Sequence, residues 1–252
     1  MDKKTLCEKY LKSTIEYLHA FDILSRGLVA CDNDSLTVKS PFLLTGINPS
    51  FPASAAKHPG QVDLFVFAKA LESDRSIGHW GKKKKQFGDI YKEMAYLDLF
   101  PIRETDQVLF EKTFQNMISL RRDLLEITQE AIEEMSPRLI VHANRGSMYY
   151  WGVDEHNPWM GYKLTPVGIN TYPDLPLCMK SFDRMKRFPL YRIDGFVDSP
   201  KRINQERFSK TALEGCFLME YVMEYRKKEE QETLYTPKEW EEIWAWVKHL
   251  NH

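Results

Sequence analysis

No apolar run in the chain approaches the roughly 20 residues that cross a bilayer. The segment from Met1 to Leu11 carries too many charges to serve as the apolar core of a signal peptide. Both absences lead to the expectation of a cytoplasmic protein with no membrane partner. Cysteine is scarce: Cys7, Cys31, Cys178 and Cys216 stand far apart with no CxxC pair. That removes the zinc-knuckle and dithiol spacings and leaves reduced, mostly buried thiols. The histidines show no metal-ligand spacing either, so neither metal nor cofactor is expected. Charge of one sign is also lacking. The 35 Lys and Arg stand against 36 Asp and Glu, a net charge of -1, which excludes a generally basic protein coating nucleic acid and confines any such site to a local patch. A Gly-x-Ser-x-Gly elbow and a phosphate-binding loop are both missing, which disfavours an unrelated α/β hydrolase.

What is present is the composition of a folded chain: 252 residues, 43% hydrophobic and 28% charged, with 12 Gly and 13 Pro. This is enough to bury a core without disulfides, and one monomeric domain over 1–252 is expected. Apolar residues from Leu6 to Leu24 recur at mostly helical spacing and predict a helix over about 3–26. The stretch 27–40 reads as a short hairpin or an irregular lead-in. Phe42 to Ile47 is an apolar run that halts at turn-forming residues, as a buried strand delivering a loop does. Residues 54–71 read as a loop and then a mildly helical segment, and Gly81 to Lys85 as a bare cationic run. A helix from Phe87 feeds a second strand over 96–100, which Pro101 ends. Asp106 caps a long helical region that Ser136-Pro137 terminates, and 138–144 follows as a third strand. An aromatic, proline-containing excursion occupies 149–176. A fourth strand over 190–196 is closed by Val197-Asp198-Ser199-Pro200, and a helix is predicted over 207–225. In a C-terminal helical extension over about 233–252, Thr236 is the N-cap, Pro237 the first helical residue and Glu239 the capping-box partner. Strands alternating with helices predict an α/β fold: a three-layer α/β/α sandwich around a central, mainly parallel four-stranded sheet. In such sheets sites lie where strand ends release loops, which draws attention to Asn48, Asp98, Asn144 and Ser199.

Gly46-Ile47-Asn48-Pro49-Ser50 after an apolar strand resembles the first motif of the uracil-DNA glycosylase superfamily, closest to its mismatch-specific and single-strand-selective branches. Asp98 to Arg103 is similar to the family's second strand, where an Asn often reads the base. The segment 130–144 is similar to the lead into its third strand, and Val197 to Pro200 stands where its last loop enters the minor groove. The resemblance implies a uracil-DNA glycosylase-like fold and a damaged or mismatched DNA partner. It also implies hydrolysis of an N-glycosidic bond, with Asn48 positioning the water. An amide orients water but is no strong base, which suits a reaction driven mostly by the departing base. Phe51 and Phe65 are both candidates to stack on an extruded base, with Asp98 and Asn144 as base-binding residues. Pro49, Ser50, Ser199, Pro200 and Arg202 are candidates for the DNA backbone.

The departures carry their own chemistry. An ionised Asp98 is acceptor-only, so it would repel the carbonyl oxygens of uracil and instead accept from an amino group or ring N–H, unless a dry pocket keeps it protonated. Val197 stands where the family places a histidine that stabilises the leaving base. A catalytically inactive relative that binds nucleic acid or a nucleotide is therefore the alternative. The bland readings stand beside these: Gly, Asn and Pro favour any turn, Asp98 pairs with Arg103 or caps a loop, the Lys82 to Lys85 run is a solvated loop rather than a phosphate contact, and the Trp240, Trp244 and Val247 stripe packs a helix onto the domain.

Overall fold

The computed structural model describes residues 1–18, 21–31, 42–52, 54–65, 69–70, 79–154, 156–221 and 234–249. The N-terminal helical region is broken. Helix α1 (Lys3–Thr14) begins on Asp2, whose carboxylate accepts from Thr5 N–H, and α2 (Asp22–Ser25) is a separate single turn. Strand β1 (Leu28–Cys31) follows, and most of the expected 27–40 hairpin lies outside the described residues. Strand β2 (Phe42–Thr45) is buried at every position. β3 (Val62–Phe65), where a loop or helix is expected, instead pairs in parallel with β1 as a small separate sheet. The lysine run does not form a loop: it sits in α3 (His79–Phe87), which leads through a 3-10 segment to β4 (Met94–Tyr96).

The long helical region after Asp106 is two helices, α4 (Gln107–Gln115) and α5 (Ile118–Met135). Asp106 caps the first as expected, accepting from the N–H groups of Val108 and Leu109. Ser136 ends the second in the left-handed region, at φ 49°. Strand β5 (Leu139–His142) follows, and the expected irregular excursion contains β6 (Tyr162–Pro166). After the short helix α6 (Phe182–Arg187) come β7 (Leu190–Phe196) and β8 (Phe217–Glu220). β8 replaces part of the helix expected over 207–225. Four consecutive apolar or bulky residues buried on both faces carry neither period, so spacing alone could not separate buried strand from helix. Helix α7 (Pro237–His249) closes the described chain.

The main sheet has six strands rather than four, in the order β4-β2-β5-β8-β7-β6. The first four are mutually parallel, while β7 runs antiparallel to both of its neighbours. The protein is thus mixed α/β with a mostly parallel central sheet. Alternate residues of the strands feed two apolar clusters. Leu43, Ile140 and Leu218 join residues of α1, α4 and α5 in one. Phe42, Leu44, Leu139, Val141, Phe217 and Met219 join residues of α3 and α7 in the other. In the second cluster Phe42 meets Phe87, Trp240 and Trp244 at ring-centroid distances of 6.1, 5.9 and 5.6 Å. The C-terminal helix is therefore core rather than appendage. Its capping box forms as expected, with Thr236 N–H donating to Glu239 at 2.7 Å and Glu239 N–H donating back to Thr236 at 3.3 Å. No helix among the described residues is long and apolar enough to cross a membrane.

Candidate active site

Past their paired residues β2 and β4 remain zipped together. Leu97 N–H donates to Leu44 O at 3.1 Å, Leu99 N–H to Gly46 O at 3.0 Å, Phe100 N–H to Ile47 O at 2.9 Å and Glu104 N–H to Pro49 O at 2.9 Å. The Gly46 to Ser50 turn and the Leu97 to Glu104 segment therefore leave the sheet together. They do so at the carboxyl end of the parallel strands, where an α/β sheet opens a crevice. Asn48 fastens them. Its Nδ2 donates to the carbonyl oxygens of Pro49, Ile102 and Glu104 at 3.1, 3.0 and 2.8 Å. Three surrounding carbonyls fix the amide orientation, since the side-chain oxygen in that place would face only acceptors. Asn48 Oδ1 consequently points away and accepts from Gln107 Nε2 at 2.9 Å, while Asn144 Nδ2 donates to Gln107 Oε1 at 3.3 Å.

Above this turn lies a cleft of about 550 Å³, within the size range of small-molecule sites. Asn48, Pro49, Ser50, Phe65, Asp98 and Asn144 all line it, so six of the ten residues singled out from the sequence converge. Of the two aromatic candidates Phe65 lines the cleft: its ring stacks on Trp80 at 4.8 Å, and Trp80 stands edge-on to Tyr96 at 4.9 Å. Phe51 is not in the lining. It is clamped at the rim between the guanidinium groups of Arg26 and Arg103, 5.1 and 5.0 Å from its ring centre, and its N–H donates to Thr105 Oγ1 at 2.9 Å.

Asp98 is 6% exposed. Its carboxylate accepts from the Tyr96 hydroxyl at 2.7 Å and from the Gly46 N–H. It lies so close to Gly46 that a Cβ there would be 2.4 Å from Oδ1, which accounts for the glycine. Burial raises its pKa to about 6, against the pull of the Tyr96 hydroxyl and the nearby Lys83 charge. The expected pairing with Arg103 does not form, because Arg103 reaches Asp63 at 3.2 Å instead. Lys83 differs from a solvated member of the cationic run. It is 3% exposed, lines the cleft, and holds its ammonium 4.6 Å from the ring centre of Trp80 and 5.1 Å from that of Tyr96. Burial lowers its pKa to about 8 even though the Asp98 charge favours the ammonium. Cys31 completes the buried cluster, with burial and the Asp98 charge raising its thiol well above its ordinary range. Trp80 is not signalled by the sequence and Lys83 is signalled only as part of the cationic run, because helical periodicity in 79–87 is interrupted by charge, yet their i, i+3 spacing does place them on one face.

Ser199, Pro200 and Arg202 are not at this site. Arg192 is opposite Phe217 at the start of β8, so β7 runs onward past the amino ends of β8 and β5. The loop that follows leaves the end of the sheet opposite to Asn48. Arg202 is buried there, its guanidinium 4.0 Å from the Phe196 ring centre and Nη2 donating to Phe208 O at 2.8 Å. The order of segments along the chain fitted the resemblance, but the polarity of one strand separates them in space.

One buried group supports the site from below. His142 at the end of β5 meets Thr45 Oγ1 at 2.7 Å and Ser147 Oγ at 2.6 Å, and burial lowers its pKa to about 3. It is a neutral bridge between the ends of β2 and β5 and the segment bearing Asn144. In comparisons with known proteins, no family model matches the chain, and neither a curated protein nor a solved structure matches it significantly.

Proposed function

We propose that this protein is a DNA N-glycosylase-like hydrolase that takes an extruded damaged or mismatched base into the cleft above Asn48. The observation that carries the reading is the convergence, at one carboxyl-end crevice, of a pinned Asn48 amide, an aromatic wall and a buried carboxylate. A planar base lying against the wall that Phe65, Trp80 and Tyr96 form together would be held by aromatic contact, with Asp98 accepting a ring or exocyclic N–H. Asn48 Oδ1 has two lone pairs, of which Gln107 takes one, and the other is available to orient a water toward the sugar C1′. The four adjacent parallel strands, with apolar clusters involving helices on both faces, suit the three-layer α/β/α arrangement of the uracil-DNA glycosylase superfamily. In this reading the fourth parallel strand is β8 rather than 190–196. DNA backbone contacts then fall to Pro49 and Ser50, and no longer to Arg202.

One observation favours the second reading, a base- or nucleotide-binding protein without chemistry. The Asn48 side-chain oxygen is already engaged by Gln107, itself bonded to Asn144, so one of the two lone pairs that could hold a water is taken. The test is base release from single- and double-stranded oligonucleotides carrying uracil, hypoxanthine, xanthine or mismatched thymine, with DNA binding measured in parallel. Release that disappears in Asn48→Ala while binding persists supports the hydrolase. Binding without release from any substrate transfers the assignment to the second reading, and neither release nor binding rejects both.

A further inference from the structure

Lys83 is an anomaly that the proposed function leaves unexplained. A lysine buried to 3% exposure carries a large desolvation cost, which a protein normally offsets with a close carboxylate. Among the described residues Lys83 has no ion-pair partner within 4.0 Å. Its ammonium lies over the faces of Trp80 and Tyr96, on the wall of a cleft that is open to a ligand. The titratable and charged groups facing it are Asp98 from the segment after β4 and Cys31 from β1. The Tyr96 hydroxyl is committed to Asp98. Burial keeps the Cys31 thiol neutral, so Asp98 is the single negative charge beside Lys83 within this cluster, and Asp98 already accepts two hydrogen bonds.

Resting on the glycosylase reading of this cleft, we infer that Lys83 is the cationic partner of the base itself, and that the site selects bases able to depart as anions. The geometry supplies two adjacent and opposite functions on one wall, a carboxylate that accepts and an ammonium that donates. A base edge with an N–H beside a carbonyl, as in oxopurines and oxopyrimidines, presents the complement to both. This alters the expectation drawn from Asp98 alone, since the carbonyl that Asp98 would repel finds Lys83 beside it.

When the C1′–N bond breaks, its electron pair passes to the base and spreads onto the ring carbonyl oxygens. The fixed ammonium in a water-poor aromatic wall stabilises that charge where it develops. Water adds its oxygen to C1′ and loses one proton, and the base anion gains one on release, so the hydrolysis balances without another reactant. Lys83 stays protonated throughout. Its ammonium prevails below about pH 8, so release that depends on it declines as pH rises through that value.

The test combines kinetics and binding in the intact protein. Single-turnover base release is followed from pH 5.5 to 9.5 in the wild type, Lys83→Met and Lys83→Arg, with thermal melts to confirm folding. Lys83→Met keeps the aliphatic stem between the rings and should lower release about a hundredfold, the size of effect seen when one donor to a developing anion is removed. It should also abolish the decline near pH 8, while Lys83→Arg recovers most of the rate and moves the decline above pH 9. In parallel, calorimetry measures binding of free xanthine, which loses a ring proton near neutral pH. Wild-type affinity should exceed that of Lys83→Met about tenfold or more at pH 7.5. Equal rates, equal pH profiles and equal xanthine affinity in wild type and Lys83→Met overturn the inference. Should the variants not fold, a wild-type xanthine affinity that does not fall between pH 8 and 9.5 overturns it. If the wild type binds xanthine through Lys83 yet releases no base from DNA, the glycosylase reading fails while Lys83 remains the anion partner.

Discussion

Replacing Asp98 by asparagine removes a buried carboxylate from the cleft together with the negative charge that faces Lys83. In the folded protein burial lifts the Asp98 pKa from 3.8 to about 6, so the fold prefers the protonated carboxyl. The sign follows from linkage. Between pH 3.8 and about 6 the folded state holds a proton that the unfolded chain has released, so stability falls as pH rises through this window and then levels off. At 1.36 kcal/mol for each pH unit between the two values, the ionised carboxylate costs about 3 kcal/mol at pH 7. Asparagine resembles the protonated carboxyl in shape, and its Oδ1 still accepts from the Tyr96 hydroxyl and the Gly46 N–H. Asp98→Asn should therefore be more stable than wild type at pH 7, by less than about 3 kcal/mol because Lys83 loses its neighbouring negative charge, and close to it at pH 3.5. Urea denaturation at half-unit steps from pH 3.5 to 7.5 checks this. The difference between the two proteins matters, because Asp2, Asp22, Asp89 and Asp194, whose pKa values are lowered, contribute equally to both. A difference that does not change with pH, or an asparagine variant less stable at pH 7, refutes the reasoning.

Gly46→Ala places a methyl 2.4 Å from Asp98 Oδ1 and 3.2 Å from the Tyr96 hydroxyl. It should cost about 1–3 kcal/mol in denaturant unfolding and lower affinity for a free base by displacing the carboxylate. Ser199→Ala, at the opposite end of the sheet, should leave DNA binding and base release unchanged in a gel-shift and release assay. A loss of either would return the Val197 to Pro200 loop to the site. Trp240→Ala should destabilise by about 3–5 kcal/mol in the same unfolding experiment, since the indole is fully buried against Phe42, Phe87 and Tyr221. Thr236→Ala, which removes one half of the capping box, should cost about 1 kcal/mol by thermal melt.

The parts of the fold legible in the sequence were those whose signals are local. The β2 run halting at Asn48-Pro49, the Asp106 cap and the Thr236–Glu239 box each rest on a few adjacent residues, and each is present. β8 was read as helix because a short strand buried on both faces has no alternation to display. β3 and β6 were hidden in segments whose turn residues dominate the local pattern. Asn48, Asp98 and Asn144, which line the cleft, are legible because they stand where strands end. The burial of Lys83 is not legible, because it depends on β1 and the segment after β4 closing over one face of α3, a long-range event that a run of four lysines masks. The misplacement of Arg202 has a different origin: strand direction in a sheet depends on connections that hydrophobic pattern does not encode.

The three carbonyls gripped by Asn48 belong to segments that follow two different strands. That one side chain reinforces the backbone hydrogen bonds between the two segments, so in the folded protein neither loop wanders independently. A ligand entering the cleft meets a floor already at its working spacing and spends little of its affinity on ordering it. Loosening this clasp should therefore appear first as faster dissociation of a bound base, before any loss of the fold is measurable.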